Sequence, residues 1–227
     1  MRRAFLLFAF VLTVCVCLRF ARPPRAAQAF AGVPEGKWIL IEVDLKRLTL
    51  YRGREALARY PIATGAWNTP TPLGFFYVNG RFCTELSGFG TRFLSLSVPW
   101  GKYGIHGTNR PESIGGNASH GCVRLRVRDA EKLYAQVPDW TRVVIEGGPY
   151  GALGDGLRAL RPGDRSSAVQ TVQRRLIQRG FYAGGADGVY GTATSRAVLA
   201  ARRAYGLSAE DIVDYALYAK LGIMLFE

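Results

Sequence analysis

Apolar and polar residues alternate with a period of two along residues 38–62, which predicts β-strands in this region. Successive side chains of a strand point to opposite faces, so the alternating apolar residues are expected to share one core. The turn Arg52-Gly53-Arg54 separates two of these segments, and a strand meander is therefore predicted. The alternating apolar residues are Ile39, Ile41, Val43, Leu48, Leu50, Ala58, Tyr60 and Ile62.

The strand pattern continues after a loop and is interrupted by one helix. Residues 65–74, GAWNTPTPLG, are rich in Gly, Pro and Thr and predict the loop. FFYVNG, FLSLSV and TRVVIEG predict three further strands. A helix is predicted to begin near Asp129, because DAEKLYAQV contains good helix formers, has an acidic first turn and precedes Pro138. The pattern as a whole predicts a mainly β domain with one short helix.

After Leu160 the apolar period changes from two to 3.6, which is typical of helices. Val169, Val172 and Leu176 fall on one helical face. The residues predicted to cap the helix starts are Ser167, Thr192 and Ser208, and the predicted ends are Gly180, Gly206 and Gly222. Residues 148–156 are Gly-rich and predict a linker, so residues 157–227 are expected to form a small all-α three-helix domain.

The N-terminus carries the signs of an exported protein. Arg2 and Arg3 precede an apolar run, residues 4–18, which is shorter than the roughly 20 residues of a bilayer span and suits a signal peptide. Ala27-Gln28-Ala29 supplies a cleavage site of the A-x-A kind. Three further arginines follow the apolar run and leave an uncleaved membrane anchor open: Arg19, Arg22 and Arg25. Residues 1–29 are therefore predicted to be a signal peptide or an N-terminal membrane tether.

The formal net charge of +13 indicates attraction to an anionic partner, which by charge alone could be nucleic acid, anionic lipid or an acidic wall polymer. Export argues against nucleic acid. The expected location is extracytoplasmic, in the cell wall or envelope, whether the protein is secreted or anchored.

Candidate chemistry is concentrated in IHGTNRPESIGGNASHGCVRL, residues 105–125, which holds both histidines of the chain beside a cysteine. Three interpretations are open. His106, His120 and Cys122 could bind zinc, but their spacing matches no usual zinc pattern. Cys122 could form a disulfide with Cys83, as two cysteines of an exported protein often do. A cysteine nucleophile is favoured, because a neighbouring imidazole can lower the thiol pKa and transfer its proton.

The glycines beside the thiol suit that third interpretation. Gly121 lets the backbone approach a substrate closely, and a turn of residues 120–122 can direct successive N–H groups at a developing oxyanion. No acidic residue lies near His106 in the sequence to orient its ring, but a backbone carbonyl, with Gly107 adjacent, can do so instead.

The motif His106-Gly107-Thr108 followed by Ser119-His120-Gly121-Cys122-Val123-Arg124 resembles the catalytic signature of the YkuD-type L,D-transpeptidases. The resemblance extends over residues 36–147 and implies a YkuD-like mixed β-sandwich with a short helix. It implies that Cys122 is the nucleophile and that His106 is its base, oriented by the Gly107 carbonyl. It further implies oxyanion amides from His120, Gly121 and Cys122, loop support from Ser119, and an anion-binding or bracing role for Arg124.

The same resemblance implies the substrate, which is the peptide stem of peptidoglycan. Cys122 would form a thioester with the residue at position three and release D-alanine; an amine acceptor would then give a cross-link, and water would give an L,D-carboxypeptidase. The mechanism implies neither a cofactor nor a metal. A wall-binding protein without catalytic activity is the alternative from another class.

The helical segment also resembles a known module. LRPGDRSSAVQTVQRRLIQRGFYAGGADGVYGTATSRAVL resembles the three-helix peptidoglycan-binding domains, which implies that it holds the enzyme on its polymer. The tryptophans are expected in the core or in cleft walls, although Trp67 in the loop could instead belong to a sugar-binding platform. Cys83 is expected to be a packed free thiol.

Overall fold

The computed structural model describes residues 35–154 and 156–223. The predicted leader, residues 1–29, lies outside the described residues. Within the described part of the chain, no helix is both long enough and apolar enough to cross a membrane.

An eight-stranded mixed sheet dominates the N-terminal domain, with strand order β3-β2-β1-β10-β5-β6-β7-β9. The neighbours are antiparallel except for β1 with β10 and β7 with β9, which are parallel. A parallel pair, β4 with β8, lies apart from this sheet. The strands are β1 Lys37–Glu42, β2 Arg47–Arg52, β3 Glu55–Pro61, β4 Thr64–Gly65, β5 Gly74–Ser87, β6 Gly90–Leu96, β7 Tyr103–Thr108, β8 Asn117–Ser119, β9 Val123–Arg126 and β10 Arg142–Glu146.

The long strand β5 joins two halves of the sheet. Its residues 74–77 pair with β10, whereas residues 78–87 pair with β6. Apolar residues from both halves share one core, because the sheet curls around it. The predicted alternation is confirmed at the five positions that are completely buried: Ile39, Ile41, Leu48, Leu50 and Ile62.

Helix α1, Val127–Gln136, packs on this core through Ala130 and Leu133. It begins two residues before the predicted start at Asp129. Arg126, the residue before the helix, has extended backbone angles, so β9 passes directly into the helix. The mainly β domain with a short helix, predicted from the residue pattern, is confirmed.

The C-terminal domain is helical, as predicted, with α2 Ser167–Gln178, α3 Thr192–Ala204 and α4 Tyr215–Lys220 around a separate core. Ser167 and Thr192, the predicted caps, are instead the first residues of α2 and α3. Ser166 caps α2, and Gly191 precedes α3. The predicted start of the third helix at Ser208 is wrong. Asp214 caps α4 instead, by accepting a hydrogen bond from the Leu217 amide.

The segment before α4, residues 207–214, is irregular rather than helical, because its backbone has partners outside any helix. Arg202 donates to the carbonyl oxygens of Ser208 at 2.7 Å and Ile212 at 3.1 Å. Val213 forms a two-way backbone bridge with Leu160. These contacts take up the groups that a helix from Ser208 would use internally.

Candidate active site

The strand register places the candidate residues on one face of the sheet. In the parallel pair β7 and β9, His106 lies opposite Arg124. Cys122 precedes Arg124 by two residues, so the two-residue period directs both side chains to the same side. The intervening residues Ile105, Val123 and Leu125 point to the opposite face, where they are buried in the core.

The Cys122 sulfur also contacts the strand that carries His106. The backbone amide of Gly104 donates a hydrogen bond to Cys122 and lowers its pKa. Gly104 precedes His106 by two residues on β7 and therefore faces the same side. The thiol and the imidazole thus lie over one face of two adjacent strands.

His106 is only 3% exposed and is held in a defined orientation. Its Nδ1 lies 2.5 Å from the Gly107 carbonyl oxygen. A carbonyl oxygen can only accept, so Nδ1 carries the proton, and Nε2 of the neutral ring is the basic nitrogen. Phe93 stacks on the ring, and Phe89 contacts it edge-on, with centroid distances of 5.6 and 5.1 Å.

Burial keeps both candidate catalytic groups neutral at rest. Burial lowers the pKa of His106, and the charge of Arg124 lowers it further. Hydrogen bonds to the Gly107 and Phe89 carbonyls raise it but do not reverse the shift. Burial also raises the pKa of the Cys122 thiol, against the lowering effects of the Gly104 amide and Arg124. The expected lowering of the thiol pKa is therefore not the net result, because desolvation disfavours the thiolate more than its neighbours stabilise it. At rest the site therefore holds a thiol and a neutral imidazole.

Ser119 closes the loop that precedes Cys122. Its hydroxyl donates to the Cys122 carbonyl oxygen at 2.5 Å and accepts from the Gly121 amide at 3.0 Å. The Ser119 side chain is buried. Loop support, the role expected for Ser119, matches these contacts.

Only glycine fits at position 121. Its φ of +109° is rarely adopted by other residues, and a Cβ there would overlap the ring of Tyr103. The Gly121 amide is directed at Ser119 rather than outward. His120, the next residue back, has an exposed side chain.

Arg124 brings a positive charge to the site. Its backbone forms a two-way bridge with Ala63, which holds β9 in place at this residue. Its charge lowers the pKa of both His106 and Cys122. Within the described residues its Nε is buried and has no hydrogen-bond partner.

Three aromatic residues of the site carry no signal in the sequence. Phe93 and Phe89 surround the imidazole, and Tyr103 covers Gly121. Phe89 and Phe93 reach the site through the pairing of β6 with β7, and Tyr103 through the pairing of β7 with β9, which a local pattern cannot reveal.

Other expected residues have different outcomes. Cys83 and Cys122 are both free thiols, so no disulfide joins them. Cys83 is exposed rather than packed. Trp38 and Trp100 lie in the core as expected, whereas Trp67 and Trp140 are 94% and 72% exposed. No group of three or more His, Cys, Asp or Glu side chains within residues 35–154 and 156–223 is arranged to hold a metal ion.

Comparison with known families gives two matches. The sequence model of YkuD, described as "L,D-transpeptidase catalytic domain", matches residues 36–145. The sequence model described as "Putative peptidoglycan binding domain" matches residues 165–221.

Comparison with individual proteins gives matches over about half of the chain. A curated relative, "Putative L,D-transpeptidase YkuD" of Bacillus subtilis (strain 168), is 43% identical over 107 residues, which are 47% of this chain and 64% of the relative. The solved L,D-transpeptidase from Mycobacterium smegmatis is 22% identical, with a TM-score of 0.42 over 49% of this chain and 58% of that protein. The solved catalytic domain of the E. faecium L,D-transpeptidase is 24% identical, with a TM-score of 0.43 over 50% of this chain and 99% of that domain.

The two sequence models cover the two domains that the structure separates by secondary structure and by core. Residues 36–145 therefore form a YkuD-family L,D-transpeptidase catalytic domain, and a domain of the peptidoglycan-binding family follows it at residues 165–221.

Proposed function

We propose that this protein is an L,D-transpeptidase that acts on the stem peptides of peptidoglycan through a thioester on Cys122. The observation that carries the proposal is the common face of β7 and β9. There Cys122 and Arg124 lie beside the strand that presents His106, with the Gly104 amide at the sulfur. Family membership supports the reaction class.

In the proposed first half-reaction, Nε2 of His106 takes the proton from the Cys122 sulfur as the sulfur attacks the carbonyl carbon of the L-centre at position three. The peptide bond to D-alanine then breaks, and the amine leaves with the proton from the imidazolium. In the second half-reaction, the amine of a neighbouring stem attacks the thioester, its proton passes through His106, and the thiol is restored. The Gly107 and Phe89 carbonyls favour the protonated ring and so stabilise the imidazolium that forms between these steps.

The tetrahedral intermediate requires donors for its oxyanion. The family resemblance assigns this role to the amides of His120, Gly121 and Cys122. Because the Gly121 amide donates to Ser119, we assign the oxyanion to the amides of residues 120 and 122, with Gly121 supplying the turn.

Arg124 is proposed to bind an anionic group of the stem peptide. Its unpartnered Nε and its position beside Cys122 and His106 support this role. A guanidinium suits a carboxylate, because its planar donors match the two oxygens.

The helical domain is proposed to keep the enzyme on its polymer, which raises the local concentration of stem peptides. Both domains point to an extracytoplasmic location in the wall or envelope. The leader residues 1–29 would deliver the protein there, as a cleaved signal peptide or as an anchor. The net charge of +13 suits an environment of anionic wall polymers.

The test is acylation of Cys122 by a carbapenem, which the family resemblance implies as a substrate mimic. We expect a stable adduct on the Cys122 peptide by mass spectrometry and none in Cys122→Ala. An unmodified parent protein would contradict the proposal and favour a wall-binding protein without catalytic activity. Digestion of purified wall, followed by identification of the muropeptides, then distinguishes cross-linking from carboxypeptidase activity.

A further inference from the structure

Among the described residues, two contacts between the helical domain and the catalytic domain lead to the loop that carries Cys122. The first contact is made by Ser167, the first residue of α2. Its Oγ accepts a hydrogen bond from the Leu73 amide at 2.8 Å. Leu73 is the last residue before β5, so α2 holds the end of the loop formed by residues 65–73.

That loop is bonded in turn to Ser119. The Ala66 amide and the Thr69 hydroxyl donate to the Ser119 carbonyl oxygen at 2.8 and 3.1 Å. Within the loop, the Gly65 amide donates to the Thr71 hydroxyl at 2.8 Å, which keeps the loop compact. Ser119 closes the Cys122 loop, so a continuous set of contacts runs from α2 to the thiol.

The second contact is the turn Asp187-Gly188-Val189 of the helical domain. Gly188 lies against the indole of Trp100 so closely that a Cβ at residue 188 would overlap the ring. Val189 packs against the core of the catalytic domain. Gln173 of α2 holds the turn, because its side-chain oxygen accepts from the Gly188 amide at 2.7 Å.

Trp100 connects this contact with the active site. It is only 6% exposed, and its side chain is hydrogen-bonded to the Tyr103 hydroxyl. The Tyr103 ring lies where a Cβ of Gly121 would be, and its hydroxyl interacts electrostatically with Cys122. The turn of the helical domain, Trp100, Tyr103 and the Cys122 loop therefore form one packed series.

We propose that the helical domain is a structural part of the active site, in which Ser167 and Gly188 are positioning residues for the Cys122 loop. Ser167 acts through the loop of residues 65–73, and Gly188 acts through Trp100 and Tyr103. The domain thus has a role in addition to holding the polymer. This proposal rests on the proposed function only in taking Cys122 as the nucleophile.

Two glycines of the helical domain offer a matched pair of variants. Gly188 and Gly180 both have left-handed backbone angles, with φ of +71° and +78°, so alanine causes similar backbone strain at either site. An added Cβ at residue 188 meets Trp100, whereas one at residue 180 meets nothing within 4 Å. Gly188→Ala therefore disturbs the contact with the catalytic domain, and Gly180→Ala controls for loss of stability.

Two adjacent serines offer a second pair, which leaves glycine positions unchanged in case Gly188→Ala fails to fold. Ser167→Ala removes the hydrogen bond to Leu73. Ser166→Ala removes the cap of α2. The Oγ of Ser166 accepts from the Val169 amide at 3.2 Å, and this hydrogen bond lies wholly within the helical domain.

The first measurement is steady-state turnover of a soluble tetrapeptide stem with a free amine acceptor, since this substrate does not require attachment to the wall. Relative to their partners in each pair, Gly188→Ala and Ser167→Ala are expected to lower kcat by about tenfold, with KM within about twofold, because misplacement affects the reacting atoms more than peptide binding. Equal kcat within both pairs would overturn the proposal.

The second measurement is the rate of alkylation of Cys122 by iodoacetamide, resolved by peptide mass spectrometry with the exposed Cys83 as internal reference. Gly188→Ala is expected to speed this reaction about threefold over Gly180→Ala, since displacement of Tyr103 exposes the sulfur. Alkylation requires only the thiol. If the parent turns over no peptide, the proposed function fails, but the alkylation rates still test the positioning role. Unequal rates in Gly188→Ala and Gly180→Ala support that role, and equal rates overturn it.

Discussion

Ser119 and Cys122 are joined by a hydrogen bond in which the serine hydroxyl donates to the cysteine carbonyl oxygen at 2.5 Å. The same hydroxyl accepts from the Gly121 amide at 3.0 Å. The buried Ser119 side chain thus provides a hydrogen-bond partner for two backbone groups of the Cys122 loop, the Gly121 amide and the Cys122 carbonyl. These hydrogen bonds hold the loop without any contact to substrate, so the amides of residues 120 and 122 keep their direction.

Ser119→Ala is expected to loosen this loop. It leaves a buried amide and a carbonyl without their partner, which costs about 1–3 kcal/mol of unfolding free energy. Carbapenem acylation of Cys122 is expected to slow by about tenfold or more, because the loop loses its fixed geometry. Thermal unfolding and acylation rates measure the two effects. An acylation rate equal to that of the parent would show that Ser119 does not position the loop.

The two histidines are expected to differ in function. His106→Ala should slow acylation of Cys122 by about 10²–10⁴-fold, the usual contribution of a general base. His120→Ala is the matched control, because that side chain is exposed and only its backbone is assigned a role. The measurement is the single-turnover acylation rate. Equal rates in His106→Ala and the parent, with a slow His120→Ala, would transfer the base role to His120.

His106 is also expected to make stability depend on pH. Burial keeps its folded pKa below the ordinary value, whereas the pKa of His106 in the unfolded chain is about 6.5. Below that pH the unfolded state binds the extra proton, so stability is greatest above about pH 6.5 and falls as the pH drops through this value toward the folded pKa. Thermal unfolding at several pH values should show a smaller acid loss for His106→Gln than for the parent. The same acid loss in both proteins would assign the effect to other groups.

Arg124 is expected to set the acid limit of the reaction. Burial is the main cause of the lowered pKa of His106, and the charge of Arg124 lowers it further, so Arg124→Gln should raise that pKa and move the acid limb of the acylation profile to higher pH. Arg124→Lys keeps the charge and should keep the limb near its original position. The pH dependence of acylation checks both variants. An unmoved limb in Arg124→Gln would mean that solvent screens this charge from the imidazole.

Gln173 is expected to be the main polar support of the helical domain. It is completely buried, and its side chain bonds Gly188, Asp187, Val189 and Thr194. Gln173→Ala should cost about 1–3 kcal/mol of unfolding free energy, because the Gly188 amide loses its partner. Gln178→Ala, an exposed position on the same helix, is the control. Denaturant unfolding measures the difference, and equal midpoints would contradict the assignment.

The sequence predicts those features that depend on local pattern. Ile39 and Ile41 fall on the buried side of β1, and Val172 and Leu176 on the buried side of α2, because burial follows the period of each element. The motif residues His106 and Cys122 are predicted by their types and spacing, which are specific to the family.

Features that depend on distant partners are not predicted. The residues before α4 look helical by composition, but Arg202 and Leu160 bind their backbone and keep them out of a helix. Trp67 is apolar and could belong to a core, a cleft wall or a sugar-binding platform by sequence alone, and the structure excludes the core because its side chain lies at the surface. Tyr103 reaches the active site only because β7 pairs beside β9, and no local property of the sequence signals that contact.

The shared strand β5 has a consequence for how the catalytic domain opens. Its first four residues belong to the ladder with β10 and the remainder to the ladder with β6, so separation of either half strips hydrogen bonds from the same strand. The sheet is therefore expected to melt as one cooperative unit. Deuterium uptake at the amides of residues 75–77 and of β6 should report a common opening event. Fluctuations of the Cys122 loop would then occur above a sheet that does not open locally.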